Sequence, residues 1–155
     1  MTQDIKTSWI DVVCHRPSFI KIKSSPLHGK GAYAARKIKK GSFLGNYMGR
    51  ISPKTATGQY VFHSFREHQK IAIDASDLHY SNWTRWMNCS TSNQNENVDS
   101  YYLTNRESVS INSTTQTLEG YIVFYANRDI NPGEELLYYY GDYYATLLEI
   151  NYPRK

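Results

Sequence analysis

Cysteine is scarce in this 155-residue chain: Cys14 and Cys89 are the only two. Two are too few for a disulfide framework or for a zinc site built from thiolates alone, so both are read as free thiols. Long apolar runs are also missing. A stretch such as Tyr121-Ile122-Val123-Phe124-Tyr125-Ala126 falls far short of the roughly 20 residues that a membrane-spanning helix needs. This points to a soluble protein with no membrane partner. Met1 to Thr7 lacks the charged-then-apolar pattern of a secretion signal, from which an intracellular protein is expected. The sequons Asn88-Cys89-Ser90 and Asn112-Ser113-Thr114 then have no bearing on glycosylation. His15, His28, His63, His68 and His79 show no metal-ligand spacing, and no metal is expected.

What the chain does have is aromatic residues, with 14 Tyr, 5 Phe and 3 Trp against an ordinary 40% hydrophobic content. Such a composition favours strands and polar-tipped pockets over a helical bundle. The length suits one domain able to sustain its own core. Lys and Arg outnumber Asp and Glu by 18 to 14, with the basic residues concentrated between Lys21 and Lys40 and a final pair at Arg154-Lys155. A solvated basic face accounts for this cluster, and a weak attraction to nucleic acid is the alternative.

No repeat or low-complexity tract interrupts the chain, and turn signals recur every eight to twelve residues or so, as in a mostly β domain of short strands. Phe19 to Lys23 alternates apolar and basic residues and ends at Ser24-Ser25-Pro26, which predicts an amphipathic strand followed by a loop. Further strands are expected over Gly31 to Ile38, Ser42 to Ile51, Tyr60 to Phe65, Ile71 to Ala75, Asn97 to Leu103, Ser108 to Ile111 and Tyr121 to Arg128. Ser81 or Asn82 caps a short helix running through Met87, because a small polar side chain there can accept from a free first-turn N–H. A second short helix is expected from Asp142 to Ile150.

Four segments carry chemistry-bearing patterns. The first is Leu27-His28-Gly29-Lys30-Gly31-Ala32-Tyr33-Ala34, whose glycines let the backbone turn sharply and approach a ligand. A dinucleotide fold would need a third glycine and a helix, whereas Ala34 to Ile38 reads as a strand. The second and third are Gly45-Asn46-Tyr47-Met48-Gly49-Arg50 and Asn82-Trp83-Thr84-Arg85-Trp86-Met87-Asn88-Cys89-Ser90. The last is Glu134-Glu135-Leu136-Leu137-Tyr138-Tyr139-Tyr140-Gly141-Asp142, after Asn131-Pro132-Gly133. In a regular strand Tyr138 and Tyr140 share one face and Tyr139 takes the other.

In this order, over residues 19–144, the motifs resemble those of SET-domain protein-lysine methyltransferases. Gly-x-Tyr-x-Gly-Arg-Ile, Asn-Trp-x-Arg-x-x-Asn-Cys and Tyr-Gly-Asp-x-Tyr most resemble the PR-type branch. The resemblance implies a mostly β, β-clip type fold of several small curved sheets with short helices and a C-terminal pseudoknot near Asn88. It places a lead segment at 1–18, the SET domain at 19–144 and a C-terminal helix or tail at 145–155. It implies methyl transfer from S-adenosyl-L-methionine to a lysine nitrogen of a protein tail, a histone by preference, in the nucleus. Tyr140 takes the position of the family's active-site tyrosine, and Tyr47 and Tyr125 those that line the lysine channel. His28, Gly29, Lys30, Gly31, Ala32 and Tyr33 would wrap the methionine end of the cofactor, and Asn88 and Cys89 would meet its adenosine. Trp86 is expected in the core, and Arg85 in a surface or structural ion pair. Tyr143, Tyr144 and Tyr152 are the aromatics that could close the channel.

Ordinary SET domains carry Asn-His-Ser-Cys where this chain has Asn88-Cys89-Ser90-Thr91. PR-type domains commonly lack that His, and some are poorly active. The second reading is therefore a non-catalytic PR-like chromatin or protein-interaction module, and the third a nucleic-acid contact through Lys21 to Lys40.

Overall fold

The computed structural model describes residues 16–52, 60–66, 69–92, 95–103, 107–111, 114–118 and 121–141. Its strands are β1 (Ile20–Ser24), β2 (Lys30–Ala34), β3 (Phe43–Asn46), β4 (Arg50–Ser52), β5 (Val61–Arg66), β6 (Gln69–Asp74) and β7 (Asn88–Cys89). They continue with β8 (Val98–Leu103), β9 (Glu107–Ile111), β10 (Thr114–Leu118), β11 (Tyr121–Ala126) and β12 (Leu137–Tyr138). Small sheets result: the pairs β1-β2, β9-β10 and β7-β12, and the triplets β3-β11-β8 and β4-β6-β5. This is the mostly β, many-sheeted fold that the resemblance implies. The helix expected from Asp142 lies outside the described residues, as do residues 1–15 of the lead segment, with Cys14, and the aromatics Tyr143, Tyr144 and Tyr152.

The chain forms two compact units, one of residues 1–17, 44–85 and 101–124, the other of 18–43, 86–100 and 125–155. In the first, β5 and β6 form an antiparallel hairpin with Val61 opposite Asp74, and β4 pairs on the other side of β6. The strand expected over Ser42 to Ile51 is split at Tyr47–Gly49. There a Cβ on Gly49 would overlap the Asp74 carbonyl, so the backbone crosses where only a glycine fits. Ile122, Val123 and Phe124 of β11 are fully buried, each contributing roughly 1.5–3 kcal/mol by leaving water.

The helix expected through Met87 is a single 3-10 turn, Trp83–Trp86, after another at Leu78–Tyr80. Asn82 caps it as expected, its Oδ1 accepting from the Thr84 N–H at 3.1 Å. The turn stops early because Asn88 and Cys89 must be extended to pair with β12. Arg85 is not on the surface: it is 7% exposed, donating to the carbonyls of Ala75 (2.8 Å) and Ser76 (3.2 Å) with its guanidinium 4.0 Å from the Tyr60 ring.

In the second unit, β1 and β2 form an antiparallel hairpin with Ile20 opposite Ala34 and Ser24 opposite Lys30. Ile20 is buried and Lys21 and Lys23 are exposed, as the alternation predicts. The second strand ends at Ala34, short of the expected Ile38, which makes an isolated bridge to Ile130. β12 returns to pair in parallel with β7, Leu137 opposite Asn88 and Tyr138 opposite Cys89. This pairing brings the C-terminal Tyr-Gly motif beside the Asn-Cys motif.

Candidate active site

The strand carrying the three tyrosines is shorter than predicted: β12 ends at Tyr138, and Tyr140 follows in extended chain. The rings of Tyr138 and Tyr140 are nevertheless in contact, with centroids 4.8 Å apart and planes tilted by 45°. Tyr138 is buried, while Tyr140 is half-buried. The Tyr140 hydroxyl donates to the Met87 carbonyl at 2.5 Å, and its N–H lies 3.5 Å from Cys89 Sγ. The phenol is thus held by the residue that leads into β7. Gly141 follows at φ +105°, a conformation that side chains resist, so the glycine of the Tyr-Gly pair permits the turn.

Cys89 is buried, and burial pushes its thiol above the ordinary range. The Tyr140 N–H opposes the shift and the Glu96 carboxylate adds to it. A neutral, buried thiol is a poor nucleophile, which removes Cys89 from covalent chemistry. Burial likewise raises the Tyr33 phenol; its bond with Ser25 acts the other way, and the Glu135 carboxylate reinforces the rise.

Asn88 is 8% exposed. The two protons of its amide nitrogen are shared among three acceptors, the carbonyls of His28 (3.1 Å) and Lys30 (3.0 Å) and Glu135 Oε1 (2.9 Å). The Asn-Cys motif is thereby tied to the glycine-bearing hairpin, so the predicted residues His28 to Tyr33, Asn88, Cys89 and Tyr140 belong to one unit. Tyr125 is in the same unit, half-buried and edge-on to Phe43 at 5.5 Å. Tyr47 is in the other unit. It is 5% exposed, its hydroxyl donates to the Tyr60 carbonyl at 2.7 Å, and its ring packs with Phe62 and Phe124.

Two residues with central roles were not singled out by sequence reading. Asn97 is 1% exposed; its Oδ1 accepts from the Leu137 N–H and its Nδ2 donates to the Glu135 carbonyl, both at 2.8 Å. It stands in for a missing strand neighbour ahead of β12. Glu135 accepts from Ser25 Oγ at 3.0 Å and Tyr33 OH at 3.3 Å besides Asn88. The available signal was the pair Glu134-Glu135, whose side chains diverge: Glu134 takes the Asn131 N–H and pairs with Arg128 at 3.2 Å.

Trp86 is half-buried rather than a core residue, and the Lys30 ammonium lies 5.5 Å from its ring centroid. Around a would-be Cβ of Gly29 nothing lies within 4 Å. The Lys30 ammonium, the half-buried Trp86 indole and the space beside Gly29 are compatible with a cofactor that has an amino-acid end and an aromatic base.

A family model of the SET domain matches residues 29–141. The chain therefore belongs to the SET domain family, whose protein-lysine methyltransferases use S-adenosylmethionine. No curated protein matches it. Among solved structures it is similar in fold to the methyltransferase domain of human PR domain-containing protein 2, at TM-score 0.61 and 24% identity over 81% of this chain and 78% of that one. It is similar also to KRYPTONITE in complex with mCHG DNA and SAH (TM-score 0.56, 23% identity, 79% of this chain). A third likeness is to a humanized mutant of the Chaetomium thermophilum Polycomb Repressive Complex 2 bound to the inhibitor GSK126 (TM-score 0.55, 26% identity, 79% of this chain). The match covers 23% and 15% of those last two chains.

Proposed function

We propose that the chain is an S-adenosylmethionine-dependent protein-lysine N-methyltransferase of the PR type, formed by residues 19–144 and acting on a histone tail in the nucleus. The observation that carries this reading is the Tyr140 hydroxyl, fixed on the Met87 carbonyl beside Asn88 and Cys89. Having given its one proton to that carbonyl, the phenol oxygen meets any further ligand as an acceptor. An acceptor there takes an N–H of the target amine and thereby orients its nitrogen. Positioning of this kind lowers a barrier without a covalent intermediate.

When bound, the cofactor supplies an electrophilic methyl on its sulfonium. His28 to Tyr33 would wrap its methionine end, and Asn88 and Cys89 would meet its adenosine. A lysine in water has a pKa of about 10.4 and is protonated at neutral pH. As channel residues, Tyr125 and Tyr140 would disfavour the ammonium by desolvating it, and its proton would leave to water. The Tyr47 ring and hydroxyl are held within its own unit by Phe62, Phe124 and the Tyr60 carbonyl.

The test is transfer of label from cofactor to histones by the purified protein and by Tyr140→Phe. A loss of about a hundredfold or more is expected, the scale seen when one positioned hydrogen-bonding group is removed. Equal labelling by both proteins would sink the role of Tyr140. The second reading, a non-catalytic protein-interaction module, draws on the absence of His after Asn88. Calorimetric titration with the cofactor separates the two, since absence of binding favours the module. Lys21, Lys23, Lys37 and Lys40 are exposed, which supports a weak nucleic-acid contact; affinity insensitive to salt argues against it.

A further inference from the structure

We propose that Glu135 is a positioning residue for the cofactor, a carboxylate clamp that holds the β1–β2 loop in its binding shape; this rests on the reading of His28 to Tyr33 as the cofactor cradle. The loop, Ser25 to Gly29, is mostly exposed and buries little apolar surface of its own. Its internal hydrogen bonds are Ser25 N–H to the Gly29 carbonyl (2.8 Å) and Leu27 N–H to Ser25 Oγ (3.0 Å). A loop so supported opens readily.

Glu135 secures it from three directions. Oε2 accepts from Ser25 Oγ at the loop's start and from Tyr33 OH in β2, whose one proton is shared with the Ser24 carbonyl. Oε1 accepts from Asn88 Nδ2, which in turn holds the His28 and Lys30 carbonyls on either side of Gly29. The carboxylate cannot drift, because the main chain around it is anchored to β2: the Ala34 N–H donates to the Glu134 carbonyl at 2.9 Å and the Leu136 N–H to the Ala32 carbonyl at 2.7 Å. Its seat exists only because residue 31 is glycine, since a Cβ there would overlap the carboxylate. The second glycine of the hairpin thus makes room for a protein side chain.

A loop held in its binding shape does not lower apparent affinity through the rarity of the competent state. If the clamped population falls to about a tenth, the Kd rises about tenfold. Calorimetry with S-adenosylhomocysteine and hydrogen exchange of the 25–31 amides in the cofactor-free protein test the clamp.

Glu135→Ala is expected to weaken binding about tenfold and to speed exchange across the loop, with the rate at saturating cofactor changed far less than KM. Glu135→Gln should restore most of the affinity, because its carbonyl still accepts from Asn88 and the Ser25 and Tyr33 hydroxyls can turn to accept. Gly31→Ala should reproduce the loss. Ser25→Ala, at the loop's edge and of little consequence for folding, should give a smaller loss and a smaller rise in exchange. Wild-type affinity in Ser25→Ala and Glu135→Ala with unchanged loop exchange would overturn the clamp. Absence of binding by the unaltered protein would instead overturn the cofactor reading, while the exchange experiment still decides whether Glu135 orders the loop.

Discussion

Tyr47 and Tyr140 come from the two tyrosine-glycine motifs of this chain, Tyr-x-Gly and Tyr-Gly, yet they occupy opposite chemical settings. Tyr47 is buried, its ring against Phe62 and Phe124 and its hydroxyl on the Tyr60 carbonyl. Tyr140 is half-buried, its hydroxyl on the Met87 carbonyl and its ring against Tyr138. Both phenols spend their proton on a main-chain carbonyl. What differs is access: an oxygen at a half-exposed ring can meet a second partner, whereas one enclosed by aromatic rings stabilises its own unit. A tyrosine's role is therefore set by what surrounds the oxygen rather than by the motif that contains it.

The contrast can be broken first at catalysis. Tyr140→Phe should abolish most labelling, by about a hundredfold or more, whereas Tyr47→Phe should lower it by less than about tenfold. Comparable losses at both positions, measured as initial rates at saturating cofactor, would show that the phenols act alike. Next in size is a change of stability confined to the first unit. Arg85→Ala leaves the Ala75 and Ser76 carbonyls without their charged donor, and unfolding in urea should show a loss of about 3 kcal/mol. A loss under about 1 kcal/mol would mean that the buried guanidinium is readily replaced by water. Tyr47→Phe removes one hydrogen bond to the Tyr60 carbonyl and should cost about 1 kcal/mol in the same assay.

The smallest effect concerns pH and Cys89. Burial raises its thiol in the folded chain above the ordinary cysteine range. The unfolded chain therefore loses this proton first as pH rises, and the contribution of the neutral thiol is present below the unfolded value and lost through the folded one. The stability difference between Cys89→Ala and its parent, both in a Cys14→Ser background, should shrink as pH climbs past the ordinary cysteine range. Growth of the difference over that range would reverse the assigned direction. Alkylation at neutral pH should be slow, since the thiolate is the reactive form.

How far the fold was legible depends on the range of the forces at each point. The alternation Phe19 to Lys23 predicts β1 because a period-two pattern settles a strand's two faces locally. The strands expected over Tyr60 to Phe65 and Ile71 to Ala75 are present and pair with each other. The break at Tyr47–Gly49 was not legible, because it depends on the Asp74 carbonyl arriving from another strand. The carbonyl partners of Arg85 were not legible for a similar reason. An arginine is read as a surface group until the chain folds carbonyls and a ring around it. The β10 strand was missed altogether, since Thr114 to Thr117 is polar and carries no apolar alternation.

The motif order in this sequence by itself determined the family and the candidate residues, because turns, glycines and short apolar runs act over a few neighbouring positions. Which of their side chains meet was decided only by tertiary structure. The parallel pairing of β12 with β7 sets Tyr140 on Met87, and the same return of the chain delivers Glu135 to Gly31 and Asn88. These contacts join residues from distant stretches of the chain. Their hydrogen bonds exist only once the backbone has closed those loops, and no local pattern encodes the closing.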